Sequence, residues 1–587
     1  MDKKEVAKIL EEIALMLELK GENTFKIRAY QNGARSIENL EQNLEELVKS
    51  RELGKVPGIG KGLSENVTEL INTGEMTYYQ ELKEEFPQTL FDLFKVPGLG
   101  PKKVKVLYEK LEIETLGELE YACLENRLTD LKGFGKTTQE KILQGIENLK
   151  KYRGKYLVST GIMVLEELRD YFQQEERVLR FSEAGSLRRR KEVIKDVDIL
   201  AAVKETDRKA LGDYFIAFPR VEEVIAQGAT KISVRLDLGI NVDLRLVTES
   251  EFPYALHHFT GSKAHNTKIR QMAKKKGLKM NEYGIFDGEE RIPAKTEADV
   301  FKVLDLPMIP PELREDQGEI EAGEAGELPP LVEKQDIKGL FHIHSHYSDG
   351  INAVEEIVQE AVERGFQYIG ISDHSQTAYY ANGLKPKDIE RQHREIESLR
   401  GKYPEIKILK GIESDILKDG SLDYEEEVLE KFDYIIASLH SNLKMDRDLM
   451  TKRLIGAIEN PYTKILGHMT GRLLLSREGC DFDEEQVFKV LQKNKVAVEI
   501  NSNPHRLDLD WRKCKKAKTM GISITIDPDA HKLSGFDHVD YGVGVARKGW
   551  IERKEVINGQ SFSDLKVFWG LNLEDKKSEQ GENTKQS

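Results

Sequence analysis

Apolar positions in the first 150 residues fall in helix-like stretches, broken by three similar turns: VPGIG at 56–60, VPGLG at 96–100 and LKGFG at 131–135. The pattern changes in the middle of the chain. Asp196-Val197-Asp198 opens the apolar run ILAAV, and INVDLRLV at 240–247 alternates, with Ile240, Val242, Leu244 and Leu246 on one face and Asp243 and Arg245 on the other. Period-two alternation predicts a half-buried strand. Beyond residue 338 come seven short apolar runs, at 339–344, 368–374, 407–414, 434–440, 464–468, 497–502 and 523–531. Their starts are 26–39 residues apart, the size of a βα unit, and helical stretches such as 353–365 and 385–400 fill the gaps. This pattern predicts a parallel (β/α) barrel of about seven strands.

Length and composition set the frame for these elements. A chain of 587 residues predicts about three to five domains. With 39% hydrophobic and 33% charged residues it is polar, yet it can bury real cores, which excludes a mostly disordered protein. Cys123, Cys480 and Cys514 are too scattered for a disulfide framework, so a reducing, cytoplasmic compartment is expected. The N-terminus lacks a signal-peptide core and no apolar run reaches membrane-spanning length, so no membrane association is expected. Net charge is −14, but residues 252–281 hold seven Lys/Arg and no acid, a surface suited to a polyanion. The segment 311–336 has nine acids, two bases and flanking proline pairs, and is expected to be a linker between two independently folding halves.

Three clusters carry candidate chemistry. In the turns, Gly58 and Gly60, then Gly98 and Gly100, permit a tight bend with consecutive exposed amides at a helix N-terminus, an arrangement that suits a phosphate. Neither Gly60-Lys61 nor Gly135-Lys136-Thr137 completes a nucleotide P-loop, because Lys55 and Asp130 stand where its first glycine is required. In the middle segment, Asp196 and Asp198 share a strand face. If the second strand pairs with the first, Asp243 joins them, and such a carboxylate cluster suits Mg²⁺. Two such ions serve in-line displacement at phosphorus. In the barrel, nearly every run ends in a metal-ligand residue: His342, His344, Asp349, His374, Glu413, His440, His468, Asp529 and His531. Ligand-type residues at successive strand ends mark the active end of such a barrel. Mixed imidazole and carboxylate ligands suit two or three ions of Mn²⁺, Zn²⁺ or Fe²⁺. His346, His393, His505 and His538 are set aside as non-ligands.

The ordered motifs AGSLRR, DVDIL, VDLRLV and HFTGS, followed by Asn266 and Arg270, resemble the family X DNA polymerases over roughly residues 1–315. The turns resemble helix-hairpin-helix motifs, which grip the DNA backbone without reading sequence. The first resemblance implies Asp196, Asp198 and Asp243 as catalytic ligands of two Mg²⁺ or Mn²⁺ ions. It implies Gly185, Ser186 and Arg189 at the triphosphate, and Phe259 and Gly261 beside the sugar of the incoming nucleotide. Asn266 then contacts the base edge and Arg270 the template. His258 replaces the family's tyrosine, Arg190 and Lys195 replace glycines, and Asn241 replaces an arginine. The family's deoxyribose-phosphate lyase lysine falls at Asn66, which cannot form a Schiff base, with Lys61 nearby. HIHSHYSDG, ISDH, GIES, SLH, GH and DPDAH resemble the PHP (polymerase and histidinol phosphatase) domain. That resemblance implies a trinuclear phosphoesterase site built from the nine ligands.

The expected fold is therefore multidomain. Residues 1–80 are an N-terminal helical DNA-binding domain with a helix-hairpin-helix, 81–152 a fingers-like helix-hairpin-helix region, and 153–250 an α+β nucleotidyltransferase palm. Residues 251–310 are a thumb for nucleotide and template binding, 311–336 the acidic linker, 337–574 an α/β PHP domain built as a distorted (β/α)7 barrel, and 575–587 a disordered tail. The order resembles the bacterial and archaeal family X polymerases. It implies gap filling in DNA repair, including base excision repair, with 3′–5′ exonuclease and, in some members, abasic-site endonuclease activity. Gapped or primed DNA and dNTP are the expected partners, bound by a monomer. Two alternatives remain at this stage: a PHP domain acting as a small-molecule phosphatase, and a non-catalytic DNA-end scaffold.

Overall fold

The computed structural model describes residues 3–571, apart from 39, 41, 129–130 and 151–153. The expected tail at 575–587 lies outside them. The chain divides into two compact units, 1–150 and 151–587.

The first unit is helical, from Lys3–Lys20 to Lys136–Lys150. Its three turns share one geometry. Gly58, Gly98 and Gly133 have φ of 90°, 84° and 93°, the left-handed region that favours glycine. In each turn the following residue donates its amide three positions back, from Ile59 to Val56, Leu99 to Val96 and Phe134 to Leu131. Gly60 and Gly100 then cap the helices Lys61–Thr73 and Pro101–Leu111 in extended conformation. Ile59, Leu99 and Phe134 are buried and anchor the turns to the helical cores.

The second unit contains a five-stranded sheet in the order Arg180–Glu183, Asp196–Ala202, Asn241–Val247, Lys231–Leu236, Val221–Gln227. Asp196–Ala202 and Asn241–Val247 run parallel; the other pairs are antiparallel. Val197, Ile199, Val242 and Leu244 pack beneath the sheet with Leu165, Leu168 and Phe215 from two helices. On the opposite face, Leu200, Ala202 and Val247 are covered by the helix Phe252–Thr260. The acids Asp196, Asp198 and Asp243 lie on that same face, outside this cover. Helix Lys263–Lys275 buries Ile269 and Ala273 and exposes Arg270, Lys274 and Lys275.

Seven parallel strands follow in sequential order: Gly339–Leu340, Tyr368–Ile371, Lys407–Asp415, Tyr434–Ser438, Thr463–Leu466, Ala497–Asn501 and Ile524–Asp527. A parallel bridge between Ile343 and Ala530 joins last to first, so the sheet is a nearly closed barrel. Among the described residues, no helix is long and apolar enough to cross a membrane.

The segment 311–336 corrects the linker expectation. It folds into a 3-10 turn at Pro311–Leu313 and a helix at Glu319–Ala325. Leu313 and Ile320 share a core with Ile269 and Phe301 on one side and Trp550 from the barrel region on the other. Its buried charges meet partners from outside the segment: Arg314 is fully buried on Glu297, and Glu319 is buried against His265 at 2.6 Å. Palm and barrel also share one continuous apolar cluster, so they are not independent cores.

Candidate functional site

Parallel pairing sets Asp198 directly opposite Asp243, with Asp196 two residues earlier on the same face. The three carboxylates are held differently. Burial, together with Asp196 and Asp243, pushes Asp198 up to about 6, and burial and Asp243 also raise Asp196. Asp243 instead pairs with Lys231 at 2.6 Å and accepts a 2.5 Å hydrogen bond from Ser233. Raised acids of this kind favour a nearby positive charge, and an all-oxygen donor set fits hard divalent cations. Gly185 is required beside it: its φ is 59°, and a Cβ there would stand 2.0 Å from Asp198 Oδ2. Lys231 and Ser233 escaped the sequence reading, although strand alternation puts them on the Asp243 face once the hairpin register is known.

The nucleotide-side candidates are placed unevenly around this cluster. Ser186 is half-buried on the short helix Gly185–Arg188. Arg189 is buried, donating to Glu315 at 2.9 Å and to the Thr260 carbonyl at 2.7 Å, so its guanidinium is already engaged. Arg188 is gripped by Glu297 at 2.8 and 3.0 Å. Phe259 lies under Arg245, 4.6 Å from its ring centroid, and so flanks the acidic face. Asn266 folds back, donating to the carbonyls of His258 and Gly261 at 2.6 and 3.1 Å. Gly261 has no room for a side chain, since a Cβ would meet Asn266 Oδ1 at 2.3 Å. Arg270 is exposed. In the first unit, Gly58, Gly60, Gly98 and Gly100 occupy the hairpin turns. The Asn66 side-chain amide donates to the Tyr30 hydroxyl at 2.8 Å.

The barrel brings all nine of its candidates together. In four overlapping groups the ligand atoms lie within 4.8 Å of one another: His344, Asp349, His374 and His531; His342, Glu413 and His468; His342, His344 and Asp529; and His374, Glu413 and His440. Glu413 is central, with one oxygen 3.1, 3.2 and 2.9 Å from the Nε2 atoms of His342, His440 and His468, and the other 2.9 Å from His374 Nδ1. Burial and the neighbours His531 and His374 drive His344 down to about 3, whereas the carboxylates around His342, His374 and His440 outweigh burial and raise them. Among the described residues, the buried Nε2 atoms of His342, His344, His374 and His440 face carboxylate oxygens at 3.1–3.5 Å without the geometry of a hydrogen bond. Buried, orphaned imidazole nitrogens converging on carboxylates are the donor set of a metal centre. His346, His393, His505 and His538 join none of these groups.

A further shell orients the ligands. Glu499 is 2.5 Å from His342 Nδ1 and accepts the His468 amide at 2.7 Å, while Asp415 is 2.5 Å from His440 Nδ1. Asn501 donates to Asp529 at 3.0 Å. Such partners fix which imidazole nitrogen faces the metal. The sequence reading missed Glu499 and Asp415. The signal was present: Glu499 lies on the sixth apolar run, and Asp415 lies two residues beyond Glu413, on the same strand face.

Comparison with known proteins agrees with this layout. Residues 1–76 match a helix-hairpin-helix domain, 91–148 a SAM-like helix-hairpin-helix tandem, 255–315 the DNA polymerase beta thumb and 341–503 the PHP domain. The chain is 39% identical over 573 residues to the DNA polymerase/3′-5′ exonuclease PolX of Bacillus subtilis, covering 97% of this chain and 99% of that one. It is 24% identical to rat DNA polymerase lambda over 48% of this chain and 52% of that protein. A probable phosphatase of Thermoanaerobacter is 29% identical over 38% of this chain and 91% of its own length. Both polymerase and PHP domains imply dependence on divalent metal, and the helix-hairpin-helix and thumb segments imply DNA binding. With 39% identity along nearly its whole length to one such enzyme, and with hairpin, thumb and PHP segments in order along one chain, the protein belongs to the family X DNA polymerases that carry a PHP domain.

Proposed function

We propose that the protein fills short gaps in DNA by templated addition of dNTPs and trims 3′ ends by 3′–5′ exonuclease action. The observation that carries this reading is the pairing of two distinct donor sets in one compact unit: three carboxylates on one sheet face, and nine imidazole and carboxylate ligands at one end of a barrel.

In the palm, Asp196, Asp198 and Asp243 would hold two Mg²⁺ or Mn²⁺ ions, and Lys231 would yield its hold on Asp243. Such cations would neutralise charge on the phosphates and favour in-line displacement at the α-phosphorus. The chain's own residues orient the reactants. The Gly185–Arg188 helix offers Ser186 toward the triphosphate, Phe259 and Gly261 flank the nucleotide sugar, and the hairpins of the first unit hold the backbone of a gapped or primed duplex. In the barrel, His342, His344, Asp349, His374, Glu413, His440, His468, Asp529 and His531 would hold two or three ions of Mn²⁺, Zn²⁺ or Fe²⁺. Glu499 and Asp415 fix the tautomers of two of those histidines. The protein acts as a monomer in this reading.

The test is a gapped duplex incubated with Mg²⁺ or Mn²⁺, with and without dNTPs. Extension with dNTPs and shortening from the 3′ end without them support the reading. The similarity of the barrel to probable phosphatases favours a second reading for that domain, hydrolysis of a small phosphomonoester. Turnover of a phosphomonoester with an intact 3′ end would select it.

A further inference from the structure

The palm loop 185–192 carries Ser186 and Arg189 and abuts the Asp198 carboxylate at Gly185. Two cations of the barrel region close on this loop. Lys548, the last residue of the helix Val539–Lys548, is fully buried at its side chain. Its three protons all have acceptors: the Arg189 carbonyl at 3.1 Å, the Glu312 carbonyl at 3.2 Å and the Glu315 carboxylate at 2.7 Å. The same Glu315 oxygen accepts from Arg189 Nε at 2.9 Å. At the other end of the loop, Arg472 donates to Glu192 and pairs with Asp510 at 2.7 Å. Glu192 is buried and its carbonyl accepts the Val158 amide at 3.0 Å, which fixes the loop's exit. Between these anchors the backbone of the barrel-region helix lies against Arg190: a Cβ at Gly544 would stand 3.3 Å from Arg190 Cγ.

We propose that Lys548 and Arg472 are positioning residues for nucleotide addition: resting on the palm reading above, the barrel clamps the 185–192 loop so that its contacts to the incoming triphosphate are made from one fixed backbone. The shared carboxylate gives the clamp its logic. When Arg189 turns from Glu315 toward a triphosphate, Lys548 remains as Glu315's partner, so no buried carboxylate is stranded. Burial lowers the Lys548 amine to about 8 against the opposing pull of Glu315, which leaves it mostly protonated at neutral pH. A loop positioned by the barrel couples the two halves without a shared metal ligand.

The test uses the full chain with Lys548→Met, which keeps bulk and removes the three donors, and Glu192→Gln, which keeps shape and removes the charge facing Arg472. The expected result for Lys548→Met is a dNTP KM raised about tenfold, with kcat within about threefold of the parent, since a loosened 185–192 loop weakens its hold on the triphosphate equally in the bound and transition states. Glu192→Gln should raise the dNTP KM about threefold. Both variants should bind gapped DNA and degrade 3′ ends at the parental rate, because neither residue touches the nine barrel ligands. An unchanged dNTP KM in folded variants overturns the proposal, as does a joint fall of polymerase and nuclease. If Lys548→Met loses its circular dichroism, Glu192→Gln decides alone. Failure of the underlying palm reading would be seen elsewhere, as incorporation surviving Asp243→Ala.

Discussion

Asp198 and Asp243 stand directly opposite one another on adjacent parallel strands, and Asp243 is ion-paired to Lys231 at 2.6 Å. Lys231 and Ser233 hold Asp243, while burial and the neighbouring carboxylates push Asp198 up to about 6. The two acids of the pair are therefore held unequally, one by a direct ion pair and the other in a setting that disfavours its charge.

Asp243→Ala should reduce dNTP incorporation by roughly 10²-fold or more, the scale of losing one electrostatic catalytic group. Binding of gapped DNA should stay within about twofold, because the proposed reading gives the backbone contacts to the hairpins of the first unit and not to Asp243. Single-turnover extension and a binding isotherm on the same preparation check this. Near-parental extension would sink the assignment of the three acids.

Much of this site was legible because strand geometry maps onto sequence simply. Alternation put Asp196 and Asp198 on one face, and barrel topology put nine ligands at one end, since residues at successive strand ends converge wherever parallel strands close up. The partners of those residues were not legible. Glu315 meets Arg189 from 126 positions away and Lys548 meets the Arg189 backbone from 359 positions away; no local pattern encodes such meetings. The acidic segment misled for the same reason. Its composition is that of a tether, but Arg547, Lys548 and Lys268 supply counter-charges that only the folded chain brings near.

Asn66 should leave the protein without the usual lyase nucleophile. Its amide has no Schiff-base chemistry and is engaged with the Tyr30 hydroxyl at 2.8 Å. Borohydride added to the protein with a 5′-deoxyribose-phosphate duplex should trap no adduct at position 66. Trapping that vanishes in Lys61→Ala would show that the nucleophile has moved to the helix N-terminus.

Glu297 should make stability acid-sensitive. Burial opposes its ionisation, but Arg314 and Arg188 outweigh burial and bring the carboxyl from 4.5 down to about 2. A depressed folded value means that the charged form stabilises the fold. That contribution is fully present above about 4.5 and is lost as pH falls toward 2, with an upper size of about 3 kcal/mol. Glu297→Gln should be less stable at neutral pH, because it weakens the pairing of the fully buried Arg314. It should also lose less stability than the parent between pH 5 and pH 3. Urea unfolding at both pH values measures the difference, and equal losses in the two proteins would show that this carboxylate is not the sensor.

Removing the nuclease chemistry and removing the barrel should have opposite consequences for polymerisation. His344→Ala deletes an imidazole that lies 3.3 Å from Asp529 and stacks on His531, deep in the ligand cluster. The helix Val539–Lys548, Arg472 and Trp550 are left in place. Degradation from 3′ ends should fall by roughly 10²-fold or more while gap filling stays near parental, since the palm shares no ligand with the barrel. A chain ending near residue 320 is a different perturbation, although independent halves would make it harmless. It strips Glu312 of Arg547, Glu315 of Lys548, and Leu313 and Ile320 of Trp550. Apolar surface is exposed and charges evolved for burial lose partners, so the fragment should melt several degrees lower or aggregate, and its dNTP KM should rise. Thermal melts and gap filling by both proteins separate the cases. A truncated chain that melts and polymerises like the parent would mean that the shared core contributes nothing to the palm. Gap filling lost in a folded His344→Ala protein would mean that coupling runs through the ligand cluster itself and not through the Lys548 and Arg472 contacts.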